Sequence, residues 1–214
     1  MPTSASILDG LAATAERWRD FAVVWHVLAA GLLTGLVAGW RPSRRFAGLL
    51  LATPLGGVSV LAWAEGNPFN GMMFAILTAV VAYLAIRLSR GMSRIGEVSL
   101  LVPGTLLIAF GWVYPHFLQT TTWTAYLYAA PLGLLPCPTL AAVLGVVLIL
   151  NLVDSGPISI VLAAAGVLYG LIGVVHLGVS LDAVLLAGAL WTGIAALKLK
   201  KRTPQRVVRA GLPG

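Results

Sequence analysis

The sequence predicts an all-α membrane protein: a polytopic bundle of seven spans, with six the nearest alternative, the N-terminus outside and the C-terminus cytoplasmic. Composition, the recurrence of long apolar runs and the placement of basic residues carry that reading. Of 214 residues, 59% are hydrophobic and 10% are charged, and the mean hydropathy is +0.94. Soluble domains run at roughly 45–50% apolar and about 25% charged. One soluble core of this size cannot hide so much apolar surface, so lipid must solvate most of it. At about 20 residues per membrane-crossing helix, the chain holds six or seven spans and no separate soluble domain. A single cysteine excludes an intramolecular disulfide and a thiolate cluster.

The elements follow in chain order. Residues 1–20 read as a short amphipathic interfacial segment. Ser6 with Asp9 resembles a capping box, and Ile7, Leu8, Leu11, Ala15 and Trp18 give an apolar face. Asp9, Glu16, Arg17, Arg19 and Asp20 leave no apolar core for a cleavable signal peptide. Residues 21–197 read as the transmembrane domain, with apolar runs at 21–40, 46–64, 70–88, 98–118, 124–150, 157–177 and 180–197. Between the last two, a tight turn falls near Gly178. Residues 198–214 read as a basic cytoplasmic tail.

Charge placement sets the orientation. Arg41, Arg44 and Arg45 follow the first run, Arg87, Arg90 and Arg94 the third, and Lys198, Lys200, Lys201, Arg202, Arg206 and Arg209 the last. Basic residues in short loops stay in the cytoplasm, and seven spans put all three groups there. Only Arg17 and Arg19 remain outside. The net charge of +7 is thus a topology signal. Its partner is a bilayer with anionic headgroups, not nucleic acid. Gly31, Gly35 and Gly39, and Gly166 with Gly170, have the spacing of close helix contacts, within the bundle or with a membrane-protein partner or second copy.

Two features point to chemistry. Pro131, Pro136 and Pro138 fall in the middle of the fifth run, where proline removes backbone donors. Carbonyls freed inside a membrane need partners in protein or a watery cavity, and broken helices are where transporters coordinate cargo. Pro136, Cys137, Pro138 and Thr139 are therefore the candidate pathway residues. Second, the predicted topology collects His26, His116, His176, Glu65 and Asp182 at the outer face. His26 shares a helical face with Ala30, Thr34 and Ala38, His176 with Gly173 and Tyr169, and Asp182 with Ala189, Gly193 and Ala196. Imidazole plus carboxylate suits zinc or another transition metal, or a proton relay. No two histidines stand at i,i+3 or i,i+4, so no single helix chelates. Lysine is absent from the seventh run, which removes a retinal Schiff base, and nucleotide-binding, H-E-x-x-H and G-x-S-x-G motifs do not occur.

Three stretches carry a family likeness. They are Trp63–Ala75 with its Asn67-Pro68 turn; Tyr114-Pro115 followed by Leu134-Leu135-Pro136-Cys137-Pro138-Thr139 and Leu144-Gly145; and Leu168–Gly173 followed by Leu177-Gly178-Val179 and Asp182. In these the chain resembles bacterial inner-membrane proteins known only as a domain of unknown function. The likeness spans roughly residues 46–190. It departs from the pattern at Trp123–Tyr128 and at Ala142. The resemblance implies a multi-span membrane protein and supplies no reaction. The functional expectation is a small-solute or metal-ion permease or sensor rather than an enzyme. The alternatives are a seven-span zinc hydrolase acting on lipid and a structural or partner-binding subunit.

Overall fold

The computed structural model describes residues 3–114, 122–128 and 131–210. Nine α-helices fill the described residues: α1 Ser4–Arg17, α2 Arg19–Val37, α3 Arg44–Ala64, α4 Pro68–Ile86, α5 Val98–Val113, α6 Ala125–Tyr128, α7 Pro136–Ile149, α8 Pro157–Leu171 and α9 Asp182–Ala210. Among the described residues there is no strand, only an isolated bridge between Ser43 and Met92. The all-α class holds. Four stretches are long and apolar enough to cross a membrane: Arg19–Val37, Arg44–Ala64, Pro68–Ile86 and Pro157–His176. At about 1.5 Å per residue, α5 and α7 reach only ~24 and ~21 Å, short of a ~30 Å hydrocarbon core.

Local chemistry sets the helix ends. Thr3, not Ser6, caps α1: its Oγ1 accepts from the Ser6 amide at 3.2 Å, while the Ser6 hydroxyl donates back to the Thr3 carbonyl. Ser43 caps α3 through the Phe46 amide, and Asn67 caps α4 through the Asn70 amide. Pro68 then takes the first helical position, where no amide donor is needed. The predicted turn at Gly178 is present with φ +66°, a conformation that favours glycine.

The core is organised around α7. It is apolar on every side, and nearly all of its residues are buried against α3, α5, α8 and α9. Its contact with α5 is backbone on backbone. A Cβ on Gly104 would stand 2.8 Å from the Gly145 carbonyl oxygen, and one on Gly111 would stand 2.5 Å from that of Pro138. Gly166 and Gly170 do the same work between α8 and α9, against Ala189 and Leu186. Gly31, Gly35 and Gly39 do not. Among the described residues, nothing beyond the local helix lies within 4 Å of a Cβ built on Gly31 or Gly39, and the nearest atoms to one on Gly35 belong to Trp40, just past the end of its own helix. Most of this face of α2 points away from the bundle.

The breaks between helices gather at two ends. At one, Ser93 N–H donates to the Pro42 carbonyl at 2.9 Å, Arg44 N–H to Gly91 at 2.8 Å, and Gly96 N–H to Ile149 at 2.8 Å. Arg44 also pairs with Asp154. The arginine-bearing breaks after α2 and α4 therefore share one end. At the other end α1 crosses to the C-terminus of α3, where Glu65 accepts from Arg17 and Trp18.

Two predicted segments differ. The 124–150 run is not one helix broken at its middle: α7 begins at the prolines, with Pro136 at its start, where a missing donor costs nothing. Within the predicted tail, residues 198–210 continue α9 as helix, and 211–214 lie outside the described residues.

The close α5–α7 contact yields the first prediction. Gly145→Val should lower the thermal midpoint of the detergent-purified protein by an amount equivalent to about 3 kcal/mol, because backbone cannot move aside. Gly31→Ala should leave the midpoint unchanged or slightly raised. Equal midpoints for the two variants would show that the contact is not tight.

Candidate functional site

The N-terminus of α7 opens onto a cavity of about 250 Å3 at the α1-bearing end of the bundle. Its polar lining comes from five separated segments: Asn70 of α4, Tyr114 after α5, Cys137 of α7, Tyr169 of α8 and Asp182 of α9. Ile7 and Leu11 of α1 also line it, so that helix forms one wall. The remaining lining is mostly apolar.

Each polar group is placed by an identifiable local cause. Pro136 starts α7, which puts Cys137 in the first turn, where it lines the cavity and packs against the edge of the core. Val179 N–H donates to the Gly173 carbonyl at 2.8 Å, and Asp182 N–H to Val179 at 3.1 Å. That turn delivers Asp182 as the first residue of α9. The carboxylate lies directly against Gly173, where any side chain would overlap it. Tyr169 donates its hydroxyl to Asn70 Oδ1 at 2.9 Å and meets Phe74 edge-on, tying α8 to α4.

The central group is Asp182. It is 2% exposed, and its Oδ1 has no hydrogen-bond partner among the described residues. Cys137 and Tyr114 lie beside it. Tyr114 is 0% exposed, and its hydroxyl is turned to the Asp182 carboxylate. No arginine, lysine or histidine pairs with Asp182 among the described residues. A buried carboxylate without a cation is costly. Such groups inside membrane helices mark function, and here the group borders a cavity large enough for a ligand.

The predicted site residues separate. Asp182, Pro136, Cys137 and Pro138 come together around the cavity. Thr139 does not: it faces the other side of α7, where its Oγ1 accepts from the Gly133 amide at 2.9 Å and holds the preceding loop. Glu65 is taken up by Arg17 and Trp18, at 3.0 and 2.8 Å. His26 is buried against Trp112, ring centroids 4.1 Å apart, and is not among the residues lining the cavity. His176 is exposed, because the Ile172–His176 segment is a wider π-turn that carries it off the face of Gly173 and Tyr169. His116 lies outside the described residues. Among the described residues, no three His, Cys, Asp or Glu side chains are placed to share a metal ion.

Tyr114, Tyr169 and Asn70 are the site residues the sequence reading passed over. Each stands in a stretch that carried the family resemblance. The available signal was their type: phenol- or amide-tipped side chains within or bordering apolar runs. Comparison with protein-family models, with curated proteins and with solved structures gives no match to this chain. The resemblance therefore rests on those stretches alone, and the cavity gathers residues from all three.

Because α1 forms one wall, it should slow access to Cys137. Leu11→Ala should raise the rate at which a small methanethiosulfonate modifies Cys137 severalfold in reconstituted protein. An unchanged rate would show that the cavity opens elsewhere.

Proposed function

We propose that this chain is a seven-crossing membrane protein that binds a small organic cation in the Asp182 cavity, as a permease or a sensor. The buried carboxylate with no cation paired to it among the described residues is the observation that carries the reading. A cation is the ligand that satisfies such a group, and the cavity supplies what an organic ammonium needs besides charge. Tyr114, Tyr169 and Phe69 offer ring faces for cation–π attraction, and the other walls are apolar. Its volume lies below the ~300–1,000 Å3 of drug-sized sites, so the ligand has only a few heavy atoms. An organic ammonium is favoured over a metal ion because the nearby donors are one carboxylate, one thiol and neutral hydroxyl and amide groups. The zinc-hydrolase alternative loses its support with the dispersal of His26, His176 and Glu65.

The orientation follows from charge. The end opposite the cavity bears Arg41, Arg44, Arg45, Arg87, Arg90 and Arg94, and basic segments of this kind stay in the cytoplasm against anionic lipid. This charge pattern supports a reading in which the cavity opens at the outer face of a bacterial inner membrane. A second reading, as a partner-binding subunit or homo-oligomer, is favoured by the outward small-residue face of Gly31, Thr34 and Ala38 on α2.

Asp182→Asn tests the proposal. Without ligand, the near-isosteric amide removes an uncompensated charge and should raise the thermal midpoint by a few degrees. Tetramethylammonium or choline should raise the midpoint of the wild-type protein and leave that of Asp182→Asn unmoved. Equal shifts in both proteins would sink the assignment. Uptake of labelled tetramethylammonium into proteoliposomes would mark a permease, and binding without uptake a sensor.

A further inference from the structure

At the end opposite the Asp182 cavity, the breaks after α2, α4 and α7 fold into a polar cup of about 330 Å3. Its lining includes Arg44, Ser93, Arg94, Asn151 and Asp154. The cup is built by backbone rather than by side-chain reach. Ser93 N–H is fixed to the Pro42 carbonyl, Arg44 N–H to that of Gly91, and Ser43 pairs with Met92. Asn151 holds a left-handed conformation, φ 47°, that turns the chain out of α7 into the cup.

Two of these groups are unsatisfied. Ser93 is 4% exposed, and its hydroxyl has no hydrogen-bond partner among the described residues. Asn151 Oδ1 is buried and also without a partner, and the amide can turn to present its N–H2 instead. Buried polar groups left open in a preformed pocket ask for a ligand. The charge of the lining indicates which one. Arg44 is engaged by Asp154, which neutralises that carboxylate. Arg94 makes no ion pair among the described residues. Neighbouring arginines are committed elsewhere: Arg41 donates to the carbonyls of Leu36 and Trp40, and Arg87 stands over the Tyr83 ring. The cup therefore carries a net positive charge and a hydroxyl donor, at the end of the bundle where headgroups lie.

We propose that this cup binds a phosphate group, presented by an anionic lipid headgroup or as free phosphate. The Ser93 hydroxyl and the Arg94 guanidinium donate to its oxygens, and Arg44 supplies a second guanidinium beside Asp154. Charge-assisted N–H and O–H donors of this kind are the strong phosphate contacts. The site is separate from the Asp182 cavity and stands whether or not that cavity binds a cation.

The test uses the full chain in phosphatidylcholine nanodiscs doped with phosphatidylglycerol, with retained lipid counted by native mass spectrometry. Wild-type protein should retain phosphatidylglycerol, and Ser93→Ala and Arg94→Gln should each weaken retention roughly tenfold. Arg94 is exposed and Ser93→Ala keeps the backbone bond to Pro42, so both variants should fold; unchanged thermal midpoints check this. Arg87→Gln, which removes the same charge outside the cup, should change retention by less than about twofold. Displacement by millimolar inorganic phosphate would identify a site for the free anion, and retention against it a headgroup site. The proposal fails if wild-type protein retains no phosphatidylglycerol and no phosphate. It also fails if Arg87→Gln weakens retention as much as Arg94→Gln, since the charge of the whole face would then be responsible.

Discussion

The backbone contact between α5 and α7 is the constraint from which the rest of the arrangement follows. Gly104 faces Gly145, and Gly111 faces the Pro138 carbonyl, at separations no side chain would permit. In lipid, where apolar surface gains little by leaving its surroundings, such close van der Waals packing is a main source of helix association. The contact fixes α7 along its length, and α7 in turn presents its flanks to α3, α8 and α9. It also fixes the start of α7 beside the end of α5. That is why Cys137 and Tyr114, far apart in sequence, border one cavity.

The cavity sits where helices end rather than where one breaks. Pro136 and Pro138 fall in the first turn of α7, a position that tolerates the lost amide. The backbone there is not strained into a mid-membrane gap. Polar side chains are supplied by neighbouring helix termini instead, and the narrow Gly173 lets α8 receive the Asp182 carboxylate at close range. Leaving that carboxylate unpaired costs stability, and a bundle that accepts the cost keeps a site ready for a charged ligand.

The two ends of the bundle have opposite characters. One gathers a buried acid, aromatic rings and a covering amphipathic helix anchored on Glu65. The other gathers arginines around a cup of open hydroxyl and amide groups. Each end assembles chain breaks that are distant in sequence, and each leaves buried polar atoms unsatisfied where a ligand of complementary charge would fit.

Some of this was legible from residue order. Apolar runs and the charge pattern determine the helical class, the approximate helix positions and the sharing of one end by the arginine-bearing breaks. Those properties depend on near neighbours and on transfer between water and lipid. Asp182 and Cys137 stood out for the same reason, as a charge and a reactive group among apolar residues. What the tertiary structure alone decided is which of these groups meet. The histidines looked collected because they share a level, but level fixes only depth, and azimuth depends on packing. The π-turn swings His176 outward, Trp112 takes His26, and Arg17 with Trp18 takes Glu65. Likewise the glycine repeat of α2, the clearest in the sequence, packs against no other helix among the described residues. The widely spaced Gly104, Gly111 and Gly145 carry the backbone contact between α5 and α7, because a small-residue spacing states what a helix permits, and only the neighbouring helix determines whether the permission is used.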